Sequence, residues 1–161
     1  PGLLRTFVYG RPIQIIHTPD KIVQLFEWAH FWRDIWIDGR PNSDDMGPYW
    51  YGYSVGKWEG NPWVVDTRGL DNRAWMDEWG TPFSESAKIT ERWRRLYRDN
   101  LELTITVDDP VMYSSVWTSG KRMYRLQQKG SPDAEILEVI FAPYDEQEFN
   151  ERIRNPAGGK E

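Results

Sequence analysis

The sequence predicts an all-β fold, an antiparallel up-and-down β-barrel of the calycin or lipocalin type with a short C-terminal helix. Apolar and polar residues alternate with period two along much of the chain, and Gly, Pro, Asn and Asp separate the alternating segments. A length of 161 residues suits a single domain spanning residues 1–161. About nine or ten short strands are typical of a barrel or a sandwich. A barrel is favoured, because closure removes exposed strand edges and leaves room for a small ligand.

Residues 49–68 carry the clearest strand signal. The segments YWYGYSVG and WVVDTR alternate on either side of the turn KWEGNP, which predicts a β-hairpin. Residues 88–110 predict a second hairpin that turns at 98–100, followed by a strand, a turn at Ser119 and Gly120, and another strand. The C-terminal segment predicts three further elements: a strand at 134–143, a short helix at 145–153 and a loosely ordered tail at 154–161.

Residues 18–38 are open to two interpretations. As a helix, they have a capping Thr18, a Pro19 at the first helical position, and Trp at every fourth position from 28 to 36. As strands, they form apolar runs on both sides of a type I turn at 18–21, followed by an alternating segment. Strands are favoured, because IDGRP (37–41) ends the run with a turn signal before another strand-like segment.

Composition excludes several classes of protein. The net charge is −5, which argues against a general nucleic-acid binder. The chain has no Cys, so disulfides and Cys-ligated metals are excluded, and no apolar run is long enough to span a membrane. Aromatic residues make up 15% of the chain and include ten Trp, which is more than a core of this size requires. The chain begins at Pro1, and we expect any signal peptide to lie in a segment that precedes it.

Several motifs resemble those of a family of small exported β-rich proteins that is common in soil bacteria. They are QIIHTPDKIVQLFE, GYSVGKWEGNPWVVDTRGLDNRAWMDEWGTPFSE, ITERWRR and LTITVDDP, spread between Arg11 and Trp117. The resemblance implies an exported protein whose longer precursor carries a signal peptide, and it implies no activity. Members of that family tend to carry His where this chain has Phe83, so any chemistry that rests on such a His is missing here.

Four residues are candidate proton carriers. His30 has Glu27 close by in sequence, and a carboxylate that orients an imidazole makes a proton-transfer pair. Asp66 would be a carboxylate inside the barrel if its strand face turns inward, and an ordinary surface acid if that face turns outward. Asp77 lies in the long loop 69–87, which is longer than most loops inside compact domains. With two His and no Cys, no metal site and no cofactor are expected.

Seven residues are candidate ligand contacts. They combine flat aromatic faces with a polar amide and a guanidinium, which suits a polar ring. They are Trp50, Tyr51, Trp58, Asn72, Trp75, Trp93 and Arg33. Glu91 and Arg95 share a strand face with Trp93 and would either clamp an anion or form cross-strand ion pairs, and ion pairing is favoured.

The sequence therefore predicts an exported barrel that binds a small aromatic, terpenoid-like or sugar-like molecule in an aromatic-lined cavity. A cofactor-free acid–base enzyme (isomerase, lyase or hydrolase) acting on such a molecule is the alternative, and a carbohydrate-binding module is a second one. An enzyme requires two ionisable groups that converge in a closed cavity. A binding protein requires a dry cavity with one polar end, and a carbohydrate module requires coplanar Trp rings on an open face.

Overall fold

The computed structural model describes residues 2–137 apart from residues 9, 44, 78, 132 and 133. Within them, nine strands form one curled sheet, a half-barrel, and a short helix precedes it. The elements are α1 (Leu3–Val8), β1 (Ile13–His17), β2 (Lys21–Phe26), a 3-10 turn (Trp28–His30), β3 (Phe31–Trp36), β4 (Tyr53–Trp58), β5 (Trp63–Arg68), β6 (Lys88–Tyr97), β7 (Asn100–Asp108), β8 (Trp117–Thr118) and β9 (Arg122–Arg125). The predicted helix 145–153, the tail and most of the predicted strand 134–143 lie outside the described residues.

The all-β, barrel-like fold is confirmed, and so are the strands within 18–38. The turn between β1 and β2 is closed by Thr18, whose N–H and hydroxyl both donate to the carbonyl of Lys21, at 2.9 and 2.7 Å. The hairpins β4–β5 and β6–β7 form where alternation predicted them. Residues 69–87 contain no strand and no helix among their described residues, as the turn-forming residues indicated.

One strand pair departs from the up-and-down order. β3 and β4 are parallel, with Ile35 opposite Ser54. Parallel neighbours need a crossover of about a dozen residues or more, and residues 37–52 supply it. Gly69, with a φ of 61°, allows the crossover to lie against the end of β5, since a Cβ there would collide with the carbonyl oxygen of Met46. Tyr49 then bridges to Leu70.

The last two strands share one neighbour. β8 pairs with β7 at Thr106 and Val107, and β9 pairs with β7 at residues 100–103. The turn at Ser119 between them is fixed by the backbone of Ile105, which donates to the Ser119 hydroxyl at 2.9 Å. The sheet therefore ends in two short strands placed along one long one.

The concave face of the sheet forms the core together with α1. Leu3, Leu4 and Phe7 of α1 are buried against it. A helix of this length is not stable by itself in water, and burial of each large apolar side chain contributes about 2 kcal/mol. No sequence signal had predicted α1. The space that remains between Leu3, Leu4 and the sheet measures about 10 Å³, and a single water needs at least about that much.

Candidate functional site

Three buried polar side chains form a connected group on the concave face. We call Gln24, Arg33 and Glu91 the Arg33 cluster; they are 0%, 5% and 0% exposed. Arg33 Nε donates to Gln24 Oε1 at 2.8 Å, and Arg33 Nη2 donates to Glu91 Oε2 at 2.6 Å. Trp93 Nε1 donates to the same carboxylate oxygen at 3.0 Å. The cluster therefore joins a charged pair to an amide and an indole in the interior.

Strand register and curvature place these side chains together. Gln24 and Arg33 are directly opposite each other on β2 and β3. Glu91 lies on β6, beyond β4 and β5 in the sheet, so the Arg33–Glu91 pair crosses the concave face. On the same face, Gly56 of β4 leaves space for the Trp63 indole, because a Cβ at that position would lie 2.7 Å from the indole nitrogen.

The cluster leaves polar atoms without partners. Gln24 Nε2, Arg33 Nη1 and Glu91 Oε1 are all buried and none has a hydrogen-bond partner among the described residues. The neighbouring Trp63 Nε1 is also buried and has no hydrogen-bond partner among the described residues. A buried polar group that lacks a partner costs about 1–3 kcal/mol, and such groups are rare in folded proteins. Two donors and one acceptor of the Arg33 cluster are therefore available to a polar group that the described residues do not provide.

Aromatic rings surround the cluster. Phe26 stacks on Phe31 at 4.7 Å, and Phe31 stacks on Tyr51 at 3.9 Å, measured between ring centroids. On the other side, Trp93 contacts Tyr124 at 5.4 Å. Burial raises the pKa of the Tyr124 phenol to about 12, as expected where water is largely excluded. The cluster therefore lies in an apolar, aromatic setting where each hydrogen bond has a large effect.

Phe7 of α1 covers the cluster. Its ring lies 5.4 Å from the Arg33 guanidinium carbon, 5.6 Å from Phe26 and 6.0 Å from Trp93. The guanidinium over the ring is a cation–π contact. α1 is tied down at this end by Arg122, whose Nη1 donates to the Phe7 carbonyl at 3.2 Å.

Three of the predicted ligand contacts belong to this region. Arg33 is the centre of the cluster, Trp93 donates to its carboxylate, and Tyr51 ends the stack of rings beside it. For Glu91, a cross-strand ion pair on a solvated face was favoured, and this was wrong in its setting. Glu91 is fully buried and pairs with Arg33 across the concave face, between strands that are not neighbours. Arg95 is exposed and donates to the Arg98 carbonyl.

The predicted proton-transfer pair, Glu27 and His30, binds the backbone of Leu137. Glu27 is buried, and its carboxylate accepts from the N–H of Leu137 at 3.4 Å. His30 Nε2 donates to the carbonyl of Leu137 at 2.9 Å. His30 has a φ of 47°, a left-handed conformation uncommon for a residue other than glycine. Both side chains therefore hold the backbone of Leu137, one through its N–H and the other through its carbonyl.

The two candidate aspartates lie away from the cluster. Asp66 is on the outer face of β5 and forms an ion pair with Arg68 at 3.0 Å. Asp77 organises its own loop, since its carboxylate accepts from the N–H groups of Trp79 and Thr81 and from the Thr81 hydroxyl. The Thr81 hydroxyl lowers the pKa of Asp77 more than burial raises it.

The remaining predicted contacts are exposed. Trp50 precedes β4, Trp58 ends it, and Asn72 and Trp75 lie in the loop 69–87. On the outer face, Trp36 is covered by the Arg40 guanidinium at 3.5 Å. Trp58 lies beside Trp63, with 6.3 Å between the ring centroids.

Gln24 was not singled out from the sequence, and Glu91 was not expected inside. A signal was nevertheless present. Gln24 has the same strand parity as Ile22 and Phe26, and Glu91 the same parity as Ile89 and Trp93. A polar residue at an otherwise apolar parity indicates a buried polar group.

No known family matches the sequence, and neither does any curated protein or solved structure. The resemblance to exported proteins of soil bacteria stays a prediction. In the part of the chain that the structure describes, no three His, Asp or Glu side chains are placed to hold a metal ion, and no helix is long and apolar enough to cross a membrane.

Proposed function

We propose that this protein binds a small molecule with a flat aromatic body and a polar substituent, and that the Arg33 cluster receives the substituent. The observation that carries the proposal is a set of three buried atoms that have no hydrogen-bond partner in the part of the chain that the structure describes: Gln24 Nε2, Arg33 Nη1 and Glu91 Oε1. Two donors and one acceptor on linked side chains complement a ligand group that both accepts and donates, such as an amide or a hydroxyl beside a carbonyl.

Phe7 occupies the place of the ligand ring. It makes the aromatic contacts that a flat ligand would make, with Phe26 and Trp93, and its face lies against Arg33. It has no polar atom to offer to the cluster. A ligand ring of similar size with polar substituents would replace these contacts and would also satisfy the unpaired atoms, so it has an advantage over Phe7 of about 1 kcal/mol for each hydrogen bond gained.

Binding therefore requires α1 to withdraw Phe7. The ligand shifts the equilibrium toward the state in which Phe7 is withdrawn, because it binds that state more tightly than the state in which Phe7 covers the cluster. Because α1 has only six residues, its withdrawal removes few contacts compared with unfolding of the sheet. The Arg122 hydrogen bond to the Phe7 carbonyl is one of the contacts that withdrawal breaks.

The proposal is tested by titration calorimetry with two flat bicyclic probes, 2-naphthamide and naphthalene. We expect the wild-type protein to bind 2-naphthamide about thirtyfold more tightly, because the two probes share an aromatic body and the amide adds two hydrogen bonds worth about 1 kcal/mol each. A hydroxylated terpenoid and a monosaccharide, titrated in parallel, identify the ligand class if it is not aromatic.

The matched control is the variant Gln24→Leu/Arg33→Met/Glu91→Leu, which keeps the side-chain volumes and removes the polar atoms. We expect it to lose the preference for the polar probe. Saturable binding of 2-naphthamide that is equally strong in this variant would show that the cluster does not receive the ligand. Absence of saturable binding of every probe to the wild-type protein would contradict the binding function itself.

An acid–base enzyme remains the alternative, but its candidate groups Asp66 and Asp77 lie outside the concave face and are engaged in local contacts. The carbohydrate-module alternative lacks a set of stacked exposed Trp rings among the described residues. We also propose, on the family resemblance alone, that the protein acts after export from a bacterial cell.

A further inference from the structure

The end of the β6–β7 hairpin projects beyond a neighbouring strand. β5 begins at Trp63 and pairs with β6 only as far as Trp93, whereas β6 and β7 remain paired as far as Tyr97. The ladder continues there for three more positions, which at about 3.3 Å a residue carry the hairpin about 10 Å past β5. We call residues 94–99, together with residues 125 and 126 beside them, the hairpin tip.

The hairpin tip concentrates positive charge in a chain whose net charge is −5. Four Arg side chains are exposed there, and one acid, Asp99, accompanies them. No Asp or Glu among the described residues forms an ion pair with any of the four, and the neighbouring Glu102 pairs with Lys121 instead, at 3.1 Å. Guanidinium groups that lack a counter-charge are suited to bind phosphate oxygens. The four are Arg94, Arg95, Arg98 and Arg125.

Exposed apolar side chains lie at the same end of the sheet. Tyr97 is 74% exposed and Leu126 is 62% exposed, and both belong to the hairpin tip. Trp58, which is 65% exposed, lies opposite Trp63 beside the adjacent β4–β5 turn. Trp and Tyr are the side chains enriched at membrane–water interfaces, because each has an apolar ring and a polar edge. This end of the sheet therefore combines cations with side chains typical of a membrane interface.

Hydrogen bonds hold the hairpin tip in shape. Arg95 Nη2 donates to the Arg98 carbonyl across the turn, and the N–H of Leu126 donates to the Asp99 carbonyl, both at 2.7 Å. Arg125 therefore lies at the tip, opposite Asn100 in the ladder. A surface that is already formed loses little conformational entropy when it binds.

We propose that the hairpin tip docks on the surface of an anionic lipid bilayer, with its Arg side chains at the lipid phosphates and Tyr97, Leu126 and Trp58 in the headgroup layer. Charge complementarity determines the sign of the partner. A bilayer fits better than a nucleic acid, because only the bilayer offers an apolar boundary to the aliphatic Leu126. Salt screens the acids elsewhere in the chain more than it screens the Arg side chains in contact, since screening grows with distance. The inference does not depend on the proposed function.

Co-sedimentation with vesicles tests the proposal on the full chain. One set of vesicles contains phosphatidylcholine alone, and the other contains equal parts of phosphatidylcholine and phosphatidylglycerol. We expect binding to the anionic vesicles only, and weaker binding as the salt concentration rises. Arg94→Gln/Arg98→Gln/Arg125→Gln should weaken that binding about a hundredfold, because each Arg near the surface contributes about fivefold.

The matched control removes three cations outside the hairpin tip. Arg11→Gln/Arg73→Gln/Lys88→Gln changes the net charge by the same amount, at positions before β1, in the loop 69–87 and at the start of β6, and should leave vesicle binding within about twofold of the wild-type protein. Circular dichroism confirms that both triple variants fold.

A further variant tests the apolar contacts. Tyr97→Ser/Leu126→Ser should weaken binding about tenfold without changing its salt dependence, because it removes apolar burial and no charge. Equal losses in the two triple variants, equal binding to uncharged vesicles, or unchanged binding by Tyr97→Ser/Leu126→Ser would each overturn the proposal. Binding of a DNA duplex in place of anionic vesicles would also overturn it.

Discussion

The two halves of α1 cover the concave face in different ways. Leu3 and Leu4 pack on an apolar half, against side chains such as Phe83 and Ile89, and the space left there is about 10 Å³. Phe7 covers the other half, where the Arg33 cluster has three buried polar atoms that find no partner among the described residues. α1 therefore fills the apolar half but leaves the polar atoms of the other half without hydrogen bonds. Apolar packing accounts for the position of Leu3 and Leu4, whereas the half under Phe7 lacks a polar partner.

The largest effect on stability is expected when the Arg33–Glu91 ion pair is broken. Arg33→Met should lower the free energy of unfolding by about 3–5 kcal/mol, because Glu91 is left buried without its counter-charge. Replacement of the whole cluster, Gln24→Leu/Arg33→Met/Glu91→Leu, should recover most of that loss, since buried ion pairs are seldom more stable than packed apolar residues. Urea unfolding measures both. A triple variant as unstable as the single one would mean that the cluster serves stability and not binding.

A smaller effect is expected where polar atoms on the same face are satisfied. The buried hydroxyls of Ser54 and Thr67 lie 2.8 Å apart and pair with each other. Ser54→Ala should cost about 1–3 kcal/mol, because the Thr67 hydroxyl loses its partner, and Ser54→Ala/Thr67→Val should cost less than the single change. The comparison uses the same urea unfolding curves. A double variant that loses more than the single one would show that these hydroxyls have partners beyond each other.

The smallest effect is expected on the loss of stability at low pH. Arg73 lowers the pKa of the Asp71 carboxyl to about 2 from an ordinary value of 3.8. A lowered folded-state pKa contributes stability above the unfolded-state value, and that contribution disappears as the pH falls from about 4 through about 2. The stability of Asp71→Asn should therefore fall less steeply over this interval. If the unfolding midpoints of the wild-type protein and of Asp71→Asn fall by the same amount between pH 4 and pH 2, the Asp71 carboxyl is not responsible for the loss of stability in acid.

The strands of this fold follow from the sequence, because a period of two and turn residues are local signals. The crossover between β3 and β4 does not, since the turn signal at 37–41 fits a hairpin as well as the start of a longer connection. α1 was missed because GLLRTFVYG is too short for helical periodicity to emerge, and because it is stable only through contacts with residues distant in sequence.

The site could be predicted only in part, because residue type is visible in the sequence and the meeting of distant strands is not. Arg33 and Trp93 stood out as residue types that bind ligands, and both belong to the cluster. Their meeting with Gln24 depends on register and curvature, which no local pattern specifies. Asp66 and Asp77 had the right chemistry for catalysis, but an outward strand face and a local turn determine where they lie.

The most direct test of the central claim compares Phe7→Ala with Phe83→Ala. Each removes one buried ring, Phe7 from α1 itself and Phe83 from the apolar half that α1 covers, and should cost about 3–5 kcal/mol of stability. Only the first opens the space above the Arg33 cluster. Titration calorimetry with benzamide and toluene then reports which space is polar. We predict that Phe7→Ala binds benzamide more tightly than toluene and that Phe83→Ala has the opposite preference. A preference for toluene in both variants would contradict the account.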